Sequence, residues 1–113
     1  MTLSQFISKV KEQPQQLSFE DTMNVIEEHY HFTPSAFKNG EVANKEGENS
    51  GSCKLLSFAQ LQQLSKEETL HCFGQYYTDV LKTPEGNDHQ NIRNFMKTGW
   101  DGVSFDRDSL VQK

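Results

Sequence analysis

Between Asn44 and Lys54 the chain gathers carboxamides, hydroxyls, a thiol and a cation on one glycine-punctuated run, Asn44-Lys45-Glu46-Gly47-Glu48-Asn49-Ser50-Gly51-Ser52-Cys53-Lys54. Gly47 and Gly51 permit backbone angles closed to other residues, so the run can turn sharply and aim consecutive N–H groups at one point. Two chemistries fit this set. In the first, Lys54 and the downstream Arg93 hold a phosphate or carboxylate, with Asn44, Gly47, Asn49, Gly51 and Ser52 completing the ligand-binding surface. In the second, Cys53 lies near a helix start, where backbone N–H groups and the macrodipole favour a thiolate. His89 would then serve as its base, with Asn91 or Asp88 orienting the ring, as in a small cysteine- or acid-base-dependent hydrolase or acyl transferase.

Each reading has a plainer counterpart. The Asn, Ser and Gly residues suit a solvated loop, a free Cys is commonly buried and inert, and Arg93 can pair with Asp88 or Glu85. The run is not a Walker A loop, because Cys53 stands where the glycine before the lysine belongs. His29-x-His31 would direct two imidazoles apart, His71 and Cys72 lie on different helix faces, and neither HExxH nor CxxC occurs. No metal and no other cofactor is therefore expected.

The scaffold for such a site must come from one small core. The chain has 113 residues, enough for a single domain that buries about two-thirds of its unfolded surface. Eight Phe, three Tyr and one Trp put much of the apolar area into large rings. A formal charge of −5 without a dense Lys/Arg cluster argues against nucleic acid and anionic membrane as partners. No stretch approaches the ~20 apolar residues of a membrane span, and no signal-peptide h-region opens the chain. The expected compartment is the cytoplasm, with Cys53 and Cys72 as reduced thiols. The Ser- and Gln-rich segment up to Gln16 has the composition of a type III export signal.

Apolar spacing predicts mostly helices. Thr2 caps a first helix carrying Leu3, Phe6, Ile7 and Val10 that ends before Pro14, and Ser18 caps a second, with Asp21 at its third position, that runs to Thr33-Pro34. Asn39-Gly40 suits a tight turn, so a short hairpin is expected over Phe37–Val42. Helical spacing resumes at Leu55 and continues to Leu64. Ser65 and Glu68 make a capping-box pattern that opens a helix through Leu81, within which Gly74 marks a close backbone crossing. Asp88 caps a last helix from His89 to about Lys97, Trp100 pins the segment after it through its indole N–H, and Val103–Phe105 alternates as a strand. Cys72 belongs to the core, and one of Tyr76 and Tyr77 lines a cleft. The fold expected is α+β, a helix-dominated single domain with a few short β-strands.

Residues in order along nearly the whole chain carry a resemblance. Thr22-Met23, Ile26, Tyr30, Phe32, Pro34, Phe37 and Asn39-Gly40 precede the Asn44–Lys54 run, and Thr69-Leu70, Phe73-Gly74, Tyr76-Tyr77, Val80-Leu81, Pro84, Gly86, His89, Asn91-Ile92-Arg93, Phe95 and Gly99-Trp100 follow it. In these the sequence resembles the HopJ type III effector family. Thr78 departs from the family's usual basic residue after the tyrosine pair, and His31 stands where another polar residue is usual. The resemblance implies an effector role and export through a type III apparatus, with a host protein as the alternative partner to the small anionic ligand. It implies no particular chemistry.

Overall fold

Three helices open on a side chain that accepts the N–H of the third helical residue. In the computed structural model, which describes residues 1–113, Thr2 caps α1 (Leu3–Glu12), Ser18 caps α2 (Phe19–His29) and Ser65 caps α4 (Lys66–His71). Gln5, Asp21 and Glu68 return a bond to the capping residue's own N–H, which completes a capping box each time.

α2 stops at His29, short of the Thr33-Pro34 end that its apolar stripe predicts. The reason is pairing: Tyr30–Phe32 forms β1, whose antiparallel partner β5 (Leu110–Gln112) comes from the far end of the chain, with Phe32 opposite Leu110. A second sheet has the order β3-β2-β4, built from the expected hairpin β2 (Phe37–Asn39) and β3 (Val42–Asn44) and the expected strand β4 (Val103–Phe105). Phe37 faces Asn44 and Asn39 faces Val42 across the hairpin, so both asparagines share its buried side.

α3 (Ser50–Leu61) begins inside the polar run, not at Leu55, so Ser50, Gly51 and Ser52 form its first turn. Cys53, Leu55, Leu56, Phe58 and Ala59 are all buried, as befits a central helix enclosed on most sides. The helix expected over Ser65–Leu81 is two helices, α4 and α5 (Gln75–Lys82). Gly74 divides them at φ 60° and ψ −126°, and a Cβ there would lie 2.5 Å from the Phe19 nitrogen. The close crossing is present, and the left-handed backbone it requires breaks the helix. α6 (Gln90–Thr98) takes His89, not Asp88, as its N-cap.

The domain is α+β, six helices around 21 buried apolar residues with the two small antiparallel sheets at the flanks. Phe58 sits at its centre, taking ring edges from Phe6 at 5.6 Å and Tyr30 at 5.9 Å. Trp100 donates its indole N–H to the Leu64 carbonyl at 2.9 Å and meets Phe95 edge-on, which secures the turn that leads into β4.

Candidate functional site

The starts of α3 and α6 face one another across a cavity. Their N-cap residues, Asn49 and His89, adopt almost identical left-handed angles, φ 50° ψ 48° and φ 49° ψ 48°, and neither side chain caps its helix. Asn49 instead donates through Nδ2 to Asn44 Oδ1 at 2.6 Å. The His89 ring lies 5.4 Å from that of Tyr76, and its Nε2 is 3.9 Å from Asp88 Oδ2. The main-chain N–H groups of Ser50, Gly51 and Ser52, and those of Gln90 and Asn91, find no acceptor within the protein, whereas the Ile92 N–H bonds the His89 carbonyl at 3.0 Å.

The cavity has a volume of about 360 Å³. Asn49, Gly51 and Ser52 form one side, and His89, Gln90, Asn91 and Ile92 the other. Val42 and the rings of Phe19, Phe73 and Tyr76 close it. Gly51 brings the start of α3 against the ring wall, where a Cβ would lie 2.9 Å from Phe19 Cζ.

Behind the polar side lies a group of carboxamides. Asn44 and Asn91 exchange two bonds, Nδ2 of each donating to Oδ1 of the other at 3.1 Å. Asn39 Nδ2 donates to the Asn91 carbonyl at 2.7 Å and to its Oδ1 at 3.1 Å, and Asn44 Nδ2 reaches the Phe37 carbonyl at 3.4 Å. Asn39, Asn44 and Asn91 are all buried, and Asn39 Oδ1 is a buried acceptor without a partner. Asn94 adds a tie, accepting the Glu41 N–H at 3.2 Å and donating to the Gln90 carbonyl at 2.9 Å. The hairpin is thus bonded to the starts of both helices, and the cavity's polar rim is held by buried side chains.

Of the residues singled out in the sequence, this arrangement brings together Asn49, Gly51, Ser52 and His89 at the cavity, with Asn44 behind them. It does not bring the others there. Gly47 turns the chain ahead of α3, outside the lining. Cys53, the fourth residue of α3, is buried with its Sγ 3.3 Å from Ser109 Oγ and 3.8 Å from the Ser35 carbonyl, off the cavity that His89 lines. Lys54 extends its ammonium 5.0 Å above the Phe32 ring, a cation–π contact with β1.

Arg93 is also committed elsewhere. Its Nε donates to the Asp88 carbonyl at 2.6 Å, Nη1 to the Thr83 carbonyl at 2.8 Å, and Nη2 to Asp88 Oδ1 at 2.6 Å and Thr83 Oγ1 at 3.1 Å. The pairing with Asp88 weighed from the sequence is therefore the one present, and it anchors the loop that leads into α6. The Arg93 hydrogen bond holds the Asp88 carboxyl below the usual carboxylate range, and the neighbouring His89 acts in the same direction. The second thiol, Cys72, is pushed up to about 12 by burial and by the charge of Glu68, which leaves it protonated and inert.

Phe19 and Phe73, and Asn39, which the sequence places in a turn, belong to this region as well. Strand alternation was the available signal for Asn39, because it places residues 37, 39, 42 and 44 on one face of the hairpin. No group of three or more His, Cys, Asp or Glu side chains stands close enough to hold a metal ion, and no helix is long and apolar enough to cross a membrane.

A family model described as HopJ type III effector protein matches residues 3–110. A crystal structure described as that of "unknown function protein VPA0580" superposes with a TM-score of 0.98 at 53% sequence identity, over 100% of this chain and 95% of that one. None of the curated proteins matches.

Proposed function

Since the chain belongs to the HopJ type III effector protein family, we propose that it works as a binding module whose cavity between the α3 and α6 starts takes a small anionic ligand. One observation carries this reading: two helix starts face the same cavity, and four of its lining residues, Gly51, Ser52, Gln90 and Asn91, have unpaired main-chain N–H groups. Unpaired donors at a helix start attract an acceptor, and two macrodipoles pointing at one cavity add positive potential there. The Ser52 hydroxyl and the His89 ring line the same cavity and supply further donors. Lys54 and Arg93 lie outside it, so the anion's charge is offset by the main chain and not by those two cations. A binding module needs no nucleophile, which accords with the position of Cys53 behind the first turn of α3.

Titration with inorganic phosphate and with acetate, followed by amide NMR, tests the site. Saturable shifts confined to Gly51, Ser52, Gln90 and Asn91 and unchanged by Lys54→Ala are expected. Shifts absent from these residues, or abolished by Lys54→Ala, would overturn the assignment. Delivery into a host cell, which the family name implies, forms a separate part of the proposal. It is tested by export of a reporter fused to this chain, which should require an intact type III apparatus.

A further inference from the structure

Beside the polar rim, the cavity presents a wall of rings that an inorganic anion does not use. Phe19 stacks on Phe73 with centroids 6.5 Å apart and planes at 14°, Tyr76 meets Phe19 edge-on at 5.2 Å, and His89 lies against Tyr76 at 5.4 Å. Phe73 is sealed in the core, whereas Phe19 and Tyr76 stand half-buried on the cavity side of it. Large rings left partly in water beside a cavity carry apolar area that a ligand can cover. The volume of about 360 Å³ falls at the lower end of the roughly 300–1,000 Å³ of small-molecule sites and far exceeds what phosphate or acetate fills.

We infer that the ligand of this cavity carries a planar unsaturated ring directly attached to its anionic group, as in an aromatic carboxylate or an aryl phosphate. The inference rests on the binding reading given above and adds the ring to it. Gly51 sets the spacing. It contributes an unpaired N–H to the polar rim, yet it sits so close to Phe19 that a single added carbon would touch the ring. The donor pole and the ring wall are therefore neighbours, and a ligand engaging both needs little or no spacer between ring and anion. Ile92 and Val42 bring apolar surface to the same cavity, which suits a flat hydrocarbon face more than a second charged group.

Affinities of the full chain for matched pairs decide the matter: benzoate against acetate, phenyl phosphate against phosphate, and cyclohexanecarboxylate as the saturated-ring control. Stacking of one ring on aromatic side chains is worth about a tenfold gain in affinity or more, so benzoate and phenyl phosphate should bind at least about tenfold tighter than their ringless partners. That advantage, read as the ratio of benzoate to acetate affinity within each variant, should fall severalfold in Tyr76→Leu and in Phe19→Leu. Equal affinities within each pair overturn the ring while leaving the anion site standing. Cyclohexanecarboxylate binding as well as benzoate overturns the requirement for a planar ring. An advantage that survives both substitutions overturns the placement of the ring on this wall, and failure of every anion to bind overturns the ring together with the reading beneath it.

Discussion

Five of the six α-helix starts in this molecule fall into two kinds. α1, α2 and α4 begin with reciprocal capping boxes, whereas α3 and α6 begin with a left-handed residue whose side chain is turned away. The open starts do not lack suitable residues. Asn49 is among the best N-capping types, but its amide is spent on Asn44, and Asp88, the acid immediately before His89, is held by Arg93. α5 also starts without a side-chain cap, yet there the Ser18–Phe19 backbone presses on Gly74, and the Gln75 side chain accepts the Phe19 N–H at 3.0 Å. Only the two starts at the cavity combine a left-handed residue, a diverted side chain and unpaired donors. Stability is taken from caps at one set of helices and from the carboxamide group at the other.

Breaking that group should therefore give the largest effect. Asn44→Ala strands the buried amide of Asn91 and releases Asn49, and leaving buried polar groups unpaired costs about 1–3 kcal/mol for each group, so a loss of about 2–4 kcal/mol is expected in urea unfolding. A loss no greater than that of an ordinary surface substitution, within about 0.5 kcal/mol, would show that the open starts are held by something other than this group.

How far the site could be read from the sequence follows from the same comparison. Capping boxes are local, their two members three positions apart, and Thr2, Ser18 and Ser65 announce them without knowledge of the fold. The carboxamide group is not local. Asn39 and Asn44 meet Asn91 only because the hairpin packs on α6, so their roles appear with the tertiary structure. The same holds for β1, whose partner β5 closes the chain from its other end, and for Gly74, whose effect on the helix depends on the Ser18–Phe19 backbone lying against it. Asn49, Gly51, Ser52 and His89 were legible because turn-forming polar residues gathered at two expected helix starts. Lys54 and Arg93 stand out in the sequence for their charge, and although Asp88 is a visible partner for Arg93, charge does not reveal that all three guanidinium nitrogens are engaged by Thr83 and Asp88.

A pair of serine substitutions sharpens the contrast at moderate size. Ser18→Ala removes a true cap and should cost about 1 kcal/mol. Ser52 makes no hydrogen bond through its hydroxyl within the protein, so Ser52→Ala should leave stability within about 0.5 kcal/mol while weakening phosphate binding. Thermal or urea unfolding beside a phosphate titration measures both. Equal stability losses at the two positions would erase the distinction between capped and open starts.

The smallest effect expected is that of pH across the neutral range, and its sign follows from two carboxyls. Asp88, held low by Arg93, secures the approach to the open start of α6, and Glu68, held low by the Ser65 N–H and by Lys11, belongs to the capped start of α4. A carboxyl whose folded pKa is depressed contributes stability that is complete above its ordinary value of about 4 and is lost as pH falls through the lower folded value. Neither group should therefore alter stability between pH 8 and pH 5, and both should begin to do so only in more acidic solution. At the capped start, protonation of Glu68 weakens the cap itself; at the open start, protonation of Asp88 loosens the loop while Asn44 and Asn91 still hold the helix. Carboxyl-carbon NMR titration reads both groups directly. An Asp88 midpoint at or above the ordinary value in the wild type would mean that Arg93 does not hold it in solution, and the anchor assigned to the α6 start would have to be sought among the carboxamides alone.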